Sequence, residues 1–126
     1  MGDAKKRILL VEDYEPTIIM TSFFLEDEGY ECDVASSGAA ALQKSAANTY
    51  ALIIMDLQLP DMDGLDITRQ IRLREKDNHL PQTPIIAATG KATADDQMLC
   101  LKAGMNDCLI KPFELDDLAQ KLEQWA

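Results

Sequence analysis

Short apolar runs alternate with stretches of helical spacing along the chain. "RILLV" (Arg7–Val11), "ALIIM" (Ala51–Met55) and "PIIAA" (Pro84–Ala88) are almost wholly apolar. Runs of this length without alternation suit strands buried on both faces. "YECDVA" (Tyr30–Ala35) alternates polar and apolar residues, as a half-exposed strand does, and "DCLI" (Asp107–Ile110) reads as a last short strand. Between them, "PTIIMTSFFLEDEG" has helical spacing, with Pro16 tolerated in the first turn and Gly29 as a stop. "SGAAALQKSAAN" is alanine-rich and helical. "GLDITRQIRLREK" sets Leu65, Ile67, Ile71 and Leu73 among charges, as an amphipathic helix would. "TADDQMLCLKAG" reads as a helix ending at Gly104, and "FELDDLAQKLEQWA" as the last helix. Five βα units with no repeat and no linker predict an α/β fold: one doubly wound, five-stranded parallel sheet with helices on both faces. The alternating strand belongs at an edge and the three apolar runs in the middle.

That arrangement gives the polar residues at the strand ends a common address. In a parallel sheet every C-terminal strand end lies on one side. Glu12 and Asp13 follow the first strand, Asp56 the third, Thr89 the fourth and Lys111 the fifth. Neighbouring strands lie about 4.8 Å apart, so adjacency of the first and third would bring Asp13 and Asp56 within reach of one ion. Ligand sites of open α/β sheets occur at this edge. Crowded carboxylates repel and call for a cation. Oxygen ligands without His or Cys favour Mg²⁺, which readily takes phosphate as a further ligand. Lys111 offers a point positive charge and Thr89 a hydroxyl donor to a phosphoryl oxygen. Phosphoryl transfer needs an in-line nucleophile and distributed positive charge, and Asp56, central in the set, is the candidate nucleophile. Singly, each residue has a plainer reading as a solvated turn, a helix cap or a surface lysine. Five of them in order, at the ends of four strands, are far more specific.

Composition narrows the partners. The 126 residues suffice for one domain. Twelve basic against 22 acidic residues give a net charge of −10, which argues against non-specific nucleic-acid binding. No apolar run is long enough to span a membrane. "MGDAKKR" does not read as a secretory signal, and "MGDAKK" lacks the Ser or Thr of a myristoylation site. Cys32, Cys100 and Cys108 have no CxxC spacing and read as buried thiols of a cytoplasmic protein. His79 belongs to a polar loop, Asp61 and Asp63 shape a loop or cap a helix, and Trp125 packs the final helix.

"LLVEDYEP", "LIIMDLQLPDMDG", "TPIIAATGKA" and "AGMNDCLIKPF" together resemble the receiver domain of two-component response regulators. The resemblance covers essentially the whole chain, in order, and makes residues 1–126 a single receiver domain. It is nearest in character to receivers of hybrid histidine kinases or stand-alone single-domain regulators. It implies the flavodoxin-like strand order 2-1-3-4-5. It implies that Asp56 accepts a phosphoryl group from a phosphohistidine of a histidine kinase or a histidine phosphotransfer protein. Asp13, Asp56 and the backbone carbonyl of Gln58 would bind Mg²⁺ directly, with Glu12 helping through water. Thr89 and Lys111 would contact phosphoryl oxygens, and Lys111–Pro112 would be cis. The product would be a signalling switch with an altered surface near the fourth helix, not a metabolic enzyme. A monomer with no direct contact to nucleic acid or membrane is expected. Cys108 departs from the family, where Tyr or Phe is common three residues before the lysine, so a coupled aromatic swing is not expected here. Gly90 leaves room beside the site for an incoming histidine. An aspartyl-phosphate hydrolase of the haloacid-dehalogenase kind would need a second aspartate where Gln58 stands. A flavodoxin-like carrier would need a Ser/Thr/Gly-rich loop where "EDYEP" stands. The intact acid set argues against a pseudo-receiver that only binds partners.

Overall fold

The computed structural model describes residues 5–90 and 93–126. The reading of the first four residues as no targeting signal, and the Lys91–Ala92 end of "TPIIAATGKA", lie outside the described residues. The elements run β1 (Arg7–Val11), α1 (Glu15–Asp27), β2 (Glu31–Ala35), α2 (Gly38–Ala47), β3 (Leu52–Asp56), α3 (Gly64–Asp77), β4 (Ile85–Thr89), α4 (Ala94–Ala103), β5 (Asp107–Ile110) and α5 (Leu115–Trp125). All four strand pairings are parallel and the order is β2-β1-β3-β4-β5. This is the expected doubly wound sheet, with the alternating strand at one edge and the apolar runs inside.

Alternate side chains of each central strand feed two separate cores. Leu9, Val11, Ile53, Met55, Ile85 and Ala87 face one side, where they meet Ala41 of α2, Ile67 and Ile71 of α3, and Cys100 of α4. Ile8, Leu10, Leu52, Ile54, Ile86 and Ala88 face the other, where they meet Leu25 of α1 and Leu118 and Leu122 of α5. Burying such a side chain is worth about 1.5–3 kcal/mol, so both faces resist any change of strand register. Register in turn levels the strand ends. Val11 sits opposite Met55, Asp56 opposite Ala88, and Thr89 opposite Ile110.

Two details differ from the sequence reading. Asp56 and Thr89 are the last residues of their strands rather than the residues after them. In α3 the buried stripe runs through Ile67, Thr68, Ile71 and Glu75, and Leu73 is 59% exposed. Glu75 is buried because its charge is matched: Arg72 Nη1 donates to it at 2.8 Å and the Thr83 N–H at 2.8 Å. Arg72 also donates to the Gly104 carbonyl and to Asn106 Oδ1, tying α3 to the α4–β5 connection.

Candidate functional site

The five strand-end residues converge. Glu12, Asp13, Asp56, Thr89 and Lys111 line one cleft of about 640 Å³ at the C-terminal edge of the sheet, with Gln58 and Gly90. β1 and β3 are neighbours, so Glu12 and Asp56 come level and Asp13 lies one step beyond. One carboxylate oxygen from each of Glu12, Asp13 and Asp56 falls within 4.8 Å of the others. Among the described residues this is the one cluster of three or more His, Cys, Asp or Glu side chains with that spacing.

Each acid is held differently. Glu12 is only 2% exposed. Its Oε1 accepts from Lys111 Nζ, and its Oε2 accepts from the N–H groups of Asp13 (3.1 Å) and Tyr14 (3.2 Å). Asp56 is 8% exposed. Its Oδ1 accepts from the Gln58 N–H at 3.2 Å and its Oδ2 lies 3.7 Å from Lys111 Nζ. Asp13 is solvent-exposed at the cleft mouth. Lys111 thus bridges two carboxylates and favours Glu12.

These contacts split the acidities. Burial pushes the Asp56 carboxyl up to about 6; sharing a hydrogen bond with Glu12 adds to this, and the Gln58 N–H and Lys111 only partly offset it. Burial also raises Glu12, but its bonds with Lys111, Asp56 and the Tyr14 N–H outweigh that and leave it below the ordinary carboxylate value. Asp56 is thus the more easily protonated of the pair. The arrangement is therefore short of positive charge at neutral pH: three carboxylates face one ammonium. A divalent cation would relieve that, and an all-oxygen set of carboxylates fits Mg²⁺ chemically.

The remaining site residues follow from local structure. Thr89 is buried at the end of β4, while the capping of α4 falls to Thr93, whose hydroxyl accepts from the Asp96 N–H at 3.1 Å. Lys111–Pro112 is cis, and the Lys111 N–H donates to the Thr89 carbonyl at 2.8 Å. Cys108 is half-buried against the core on the α2–α4 side. Burial raises its thiol, as it does the Cys100 thiol, consistent with the plain packing role. His79 is exposed, past the end of α3, with a φ of 54°. Asp63 caps α3 through the Leu65 N–H at 2.8 Å. Asp61 also caps a helix, but across space: it accepts from the Gly38 and Ala39 N–H groups of α2. Trp125 packs against the core and its Nε1 donates to Asp107 Oδ2 at 2.9 Å. The cleft has an apolar wall that strand-end reasoning missed: Tyr14, Met20, Pro112 and Phe113. The usable signal was adjacency, since Tyr14 follows the acid pair and Phe113 follows Lys111–Pro112.

Comparison with known proteins gives the family and agrees with the fold. The family model for the response regulator receiver domain matches residues 8–123. The chain is 40% identical over 118 residues to the aerobic respiration control sensor protein ArcB of Escherichia coli, a match covering 94% of this chain and 15% of that protein's length. It is 38% identical, with a TM-score of 0.86, to the receiver domain of a Pseudomonas aeruginosa sensor histidine kinase that has a magnesium ion coordinated in its active-site cleft; 97% of this chain and 98% of that one are covered. It is 30% identical, with a TM-score of 0.90, to a chain of the co-crystal structure of the Saccharomyces cerevisiae phosphotransfer protein Ypd1 with the receiver domain of Ssk1, covering 99% of this chain and 91% of that one. No helix among the described residues is long and apolar enough to cross a membrane.

Proposed function

The chain belongs to the response regulator receiver domain family, and from that premise we propose that it is a Mg²⁺-dependent phosphoacceptor switch in which Asp56 takes a phosphoryl group from a phosphohistidine. We take the chain as one receiver domain acting in the cytoplasm, with a histidine kinase or histidine phosphotransfer protein as donor. The observation that carries the reading is the meeting of three carboxylates and one ammonium at the ends of β1, β3 and β5, with Asp56 in the middle.

Asp56 attacks in line. Its carboxylate oxygen forms the new O–P bond as the P–N bond of the phosphohistidine breaks, and the leaving imidazole keeps the electron pair and is protonated. Asp13, Asp56 and the Gln58 backbone carbonyl would hold Mg²⁺ directly, and Glu12 would help through water. The bound ion supplies the positive charge that lets a phosphoryl anion approach a carboxylate. Lys111 exchanges part of its hold on Glu12 for a phosphoryl oxygen, and the Thr89 hydroxyl donates to another. Gly90 has nothing within 4 Å of where a Cβ would stand, which leaves space for the donor imidazole. The acyl phosphate brings roughly two negative charges to a site already short of positive charge, and this drives the residues around Thr89 and α4 to rearrange. Each turnover modifies the protein itself, so the product is a changed surface and not a released metabolite.

The test is intact mass after incubation with Mg²⁺ and a small phosphodonor such as acetyl phosphate. The wild type gains one phosphoryl group, and Asp56→Asn gains none. Equal gain by both proteins would remove Asp56 as the acceptor.

A further inference from the structure

Sequence places Asp61 in the loop between β3 and α3, three residues after Gln58. The base of this loop is closed on itself. The Gly64 N–H donates to the Leu57 carbonyl at 3.0 Å, Gln58 and Asp63 form an isolated antiparallel bridge, and Asp63 caps α3. Beyond that base, Leu59 and Met62 of the tip, residues 59–62, pack against the core on the side of α2 and α3. The tip is also fastened by hydrogen bonds to another element. Asp61 Oδ1 accepts from the Gly38 N–H at 2.7 Å and Oδ2 from the Ala39 N–H at 3.1 Å. Those are the first two donors of α2, a ten-residue helix whose next donor, the Ala40 N–H, is taken by its own cap Ser37. A carboxylate at a helix N-terminus gains from both the free N–H groups and the helix dipole.

A second contact joins the same two segments. A Cβ on Gly38 would stand 2.7 Å from both Cβ and Sδ of Met62 and 2.8 Å from its Cγ. The loop therefore lies directly on the start of α2, at a position only glycine leaves open. Asp61 and Met62 grip α2 from one side of the loop, while Gln58, at the other side, lines the cleft with Asp56.

We propose that Asp61 is a positioning residue for the metal site: its clasp on the Gly38 and Ala39 N–H groups holds the β3–α3 loop so that the Gln58 carbonyl is presented to the cation. The inference rests on the Mg²⁺ site proposed above. Asp61 touches neither cation nor phosphoryl group and acts through the loop. Outer-shell partners that orient a ligand commonly change metal affinity by about 10–100-fold when removed. A backbone carbonyl on a loop already closed at its base belongs at the low end, about tenfold.

Two variants release the clasp by different means. Asp61→Ala removes the acceptor, and Gly38→Ala pushes Met62 away while leaving the carboxylate intact. Asp61→Asn keeps one acceptor oxygen. Mg²⁺ affinity is measured by calorimetry on the full chain, without phosphodonor, alongside thermal unfolding and amide exchange at Gly38 and Ala39. Asp61→Ala and Gly38→Ala are expected to weaken Mg²⁺ binding about tenfold, with Asp61→Asn intermediate, and Asp61→Ala to speed exchange at both amides. A carboxylate that merely caps α2 would lower the melting temperature and speed exchange but leave Mg²⁺ affinity where it was; that result overturns the positioning role and leaves the phosphoacceptor reading intact. A wild type that binds no Mg²⁺ overturns both.

Discussion

Asp56 is an acid held in the wrong charge state for its own comfort. Burial is the main reason its carboxyl sits at about 6, with the shared bond to Glu12 next. In the unfolded chain the same group titrates near its ordinary value of 3.8. A carboxyl raised on folding leaves the native state at full advantage below the unfolded value and removes that advantage as pH climbs through about 6. Above pH 6, in the absence of divalent cations, the ionised Asp56 costs on the order of 1–2 kcal/mol, discounted because the strand end remains partly solvated and coupled to Glu12. Asp56→Asn is therefore expected to be more stable than wild type at pH 7.5 in chelator, by about that amount in urea unfolding. The gain should shrink toward zero at pH 4 and should narrow when Mg²⁺ is added to the wild type. An Asn variant whose gain over wild type is no larger at pH 7.5 than at pH 4 would contradict the burial argument. The residues of the site were legible because strand ends are visible as places where an apolar run stops at a charge. Lys111's preference for Glu12 was not. It depends on a side chain at the end of β5 reaching past β4 and β3 to β1, and nothing in the spacing along the chain records that reach.

At the scale of elements, β3 and α3 are set against each other by one glycine. A Cβ on Gly64 would stand 2.5 Å from the Asp56 carbonyl oxygen and 2.9 Å from the Leu57 Cα. Both are backbone atoms of the segment carrying Asp56, the proposed phosphoacceptor, so neither can move aside without moving it. Gly64→Ala is expected to cost about 2–3 kcal/mol of stability and to slow modification of Asp56 by a small phosphodonor. Gly90→Ala, with nothing within 4 Å, should change stability by less than about 0.5 kcal/mol. Urea melts of the pair decide it; similar costs at the two glycines would mean that the close approach does not control the loop. The elements themselves were readable from periodicity, and their bounds differed by only a residue or two, because both cores demand apolar side chains at strand and helix spacing. The phase of α3 was less readable. Leu73 competes with Glu75 for the inner face, and hydrophobicity alone favours Leu73. Glu75 wins because Arg72, three residues earlier on the same helix, and the Thr83 N–H satisfy its charge, and the Thr83 half of that compensation comes from a loop outside any periodic pattern. The clasp of Asp61 on α2 was hidden for the same reason: a capping residue is legible when it precedes its helix, not when it arrives from 23 residues away.

For the whole molecule, the cleft opens beside an unusually apolar stretch of surface. On α1, Phe23 is 74% exposed and Ile19 61%, and both line a shallow groove with Met20, Phe24 and Leu115 of α5. Met20 also lines the strand-end cleft, so groove and cleft are neighbours. On the proposed function, a donor histidine cannot enter the cleft alone; the protein carrying it must cover whatever surrounds the mouth. An exposed aromatic beside that mouth has the character of an interface anchor, where one side chain often carries about 1–2 kcal/mol or more of binding. A small phosphodonor needs no such surface. The two donors should therefore separate the chemistry from the docking. Phe23→Ala is expected to lower the rate of transfer from a phosphorylated histidine phosphotransfer protein, below saturation, by about tenfold, while leaving the rate with acetyl phosphate within a factor of about two. Leu101→Ala, an exposed apolar residue on α4 outside the groove, should leave both rates near wild type. Loss of both rates in Phe23→Ala would place its effect inside the site rather than on the docking face. Loss of transfer in Leu101→Ala alone would move the docking face from α1 to α4.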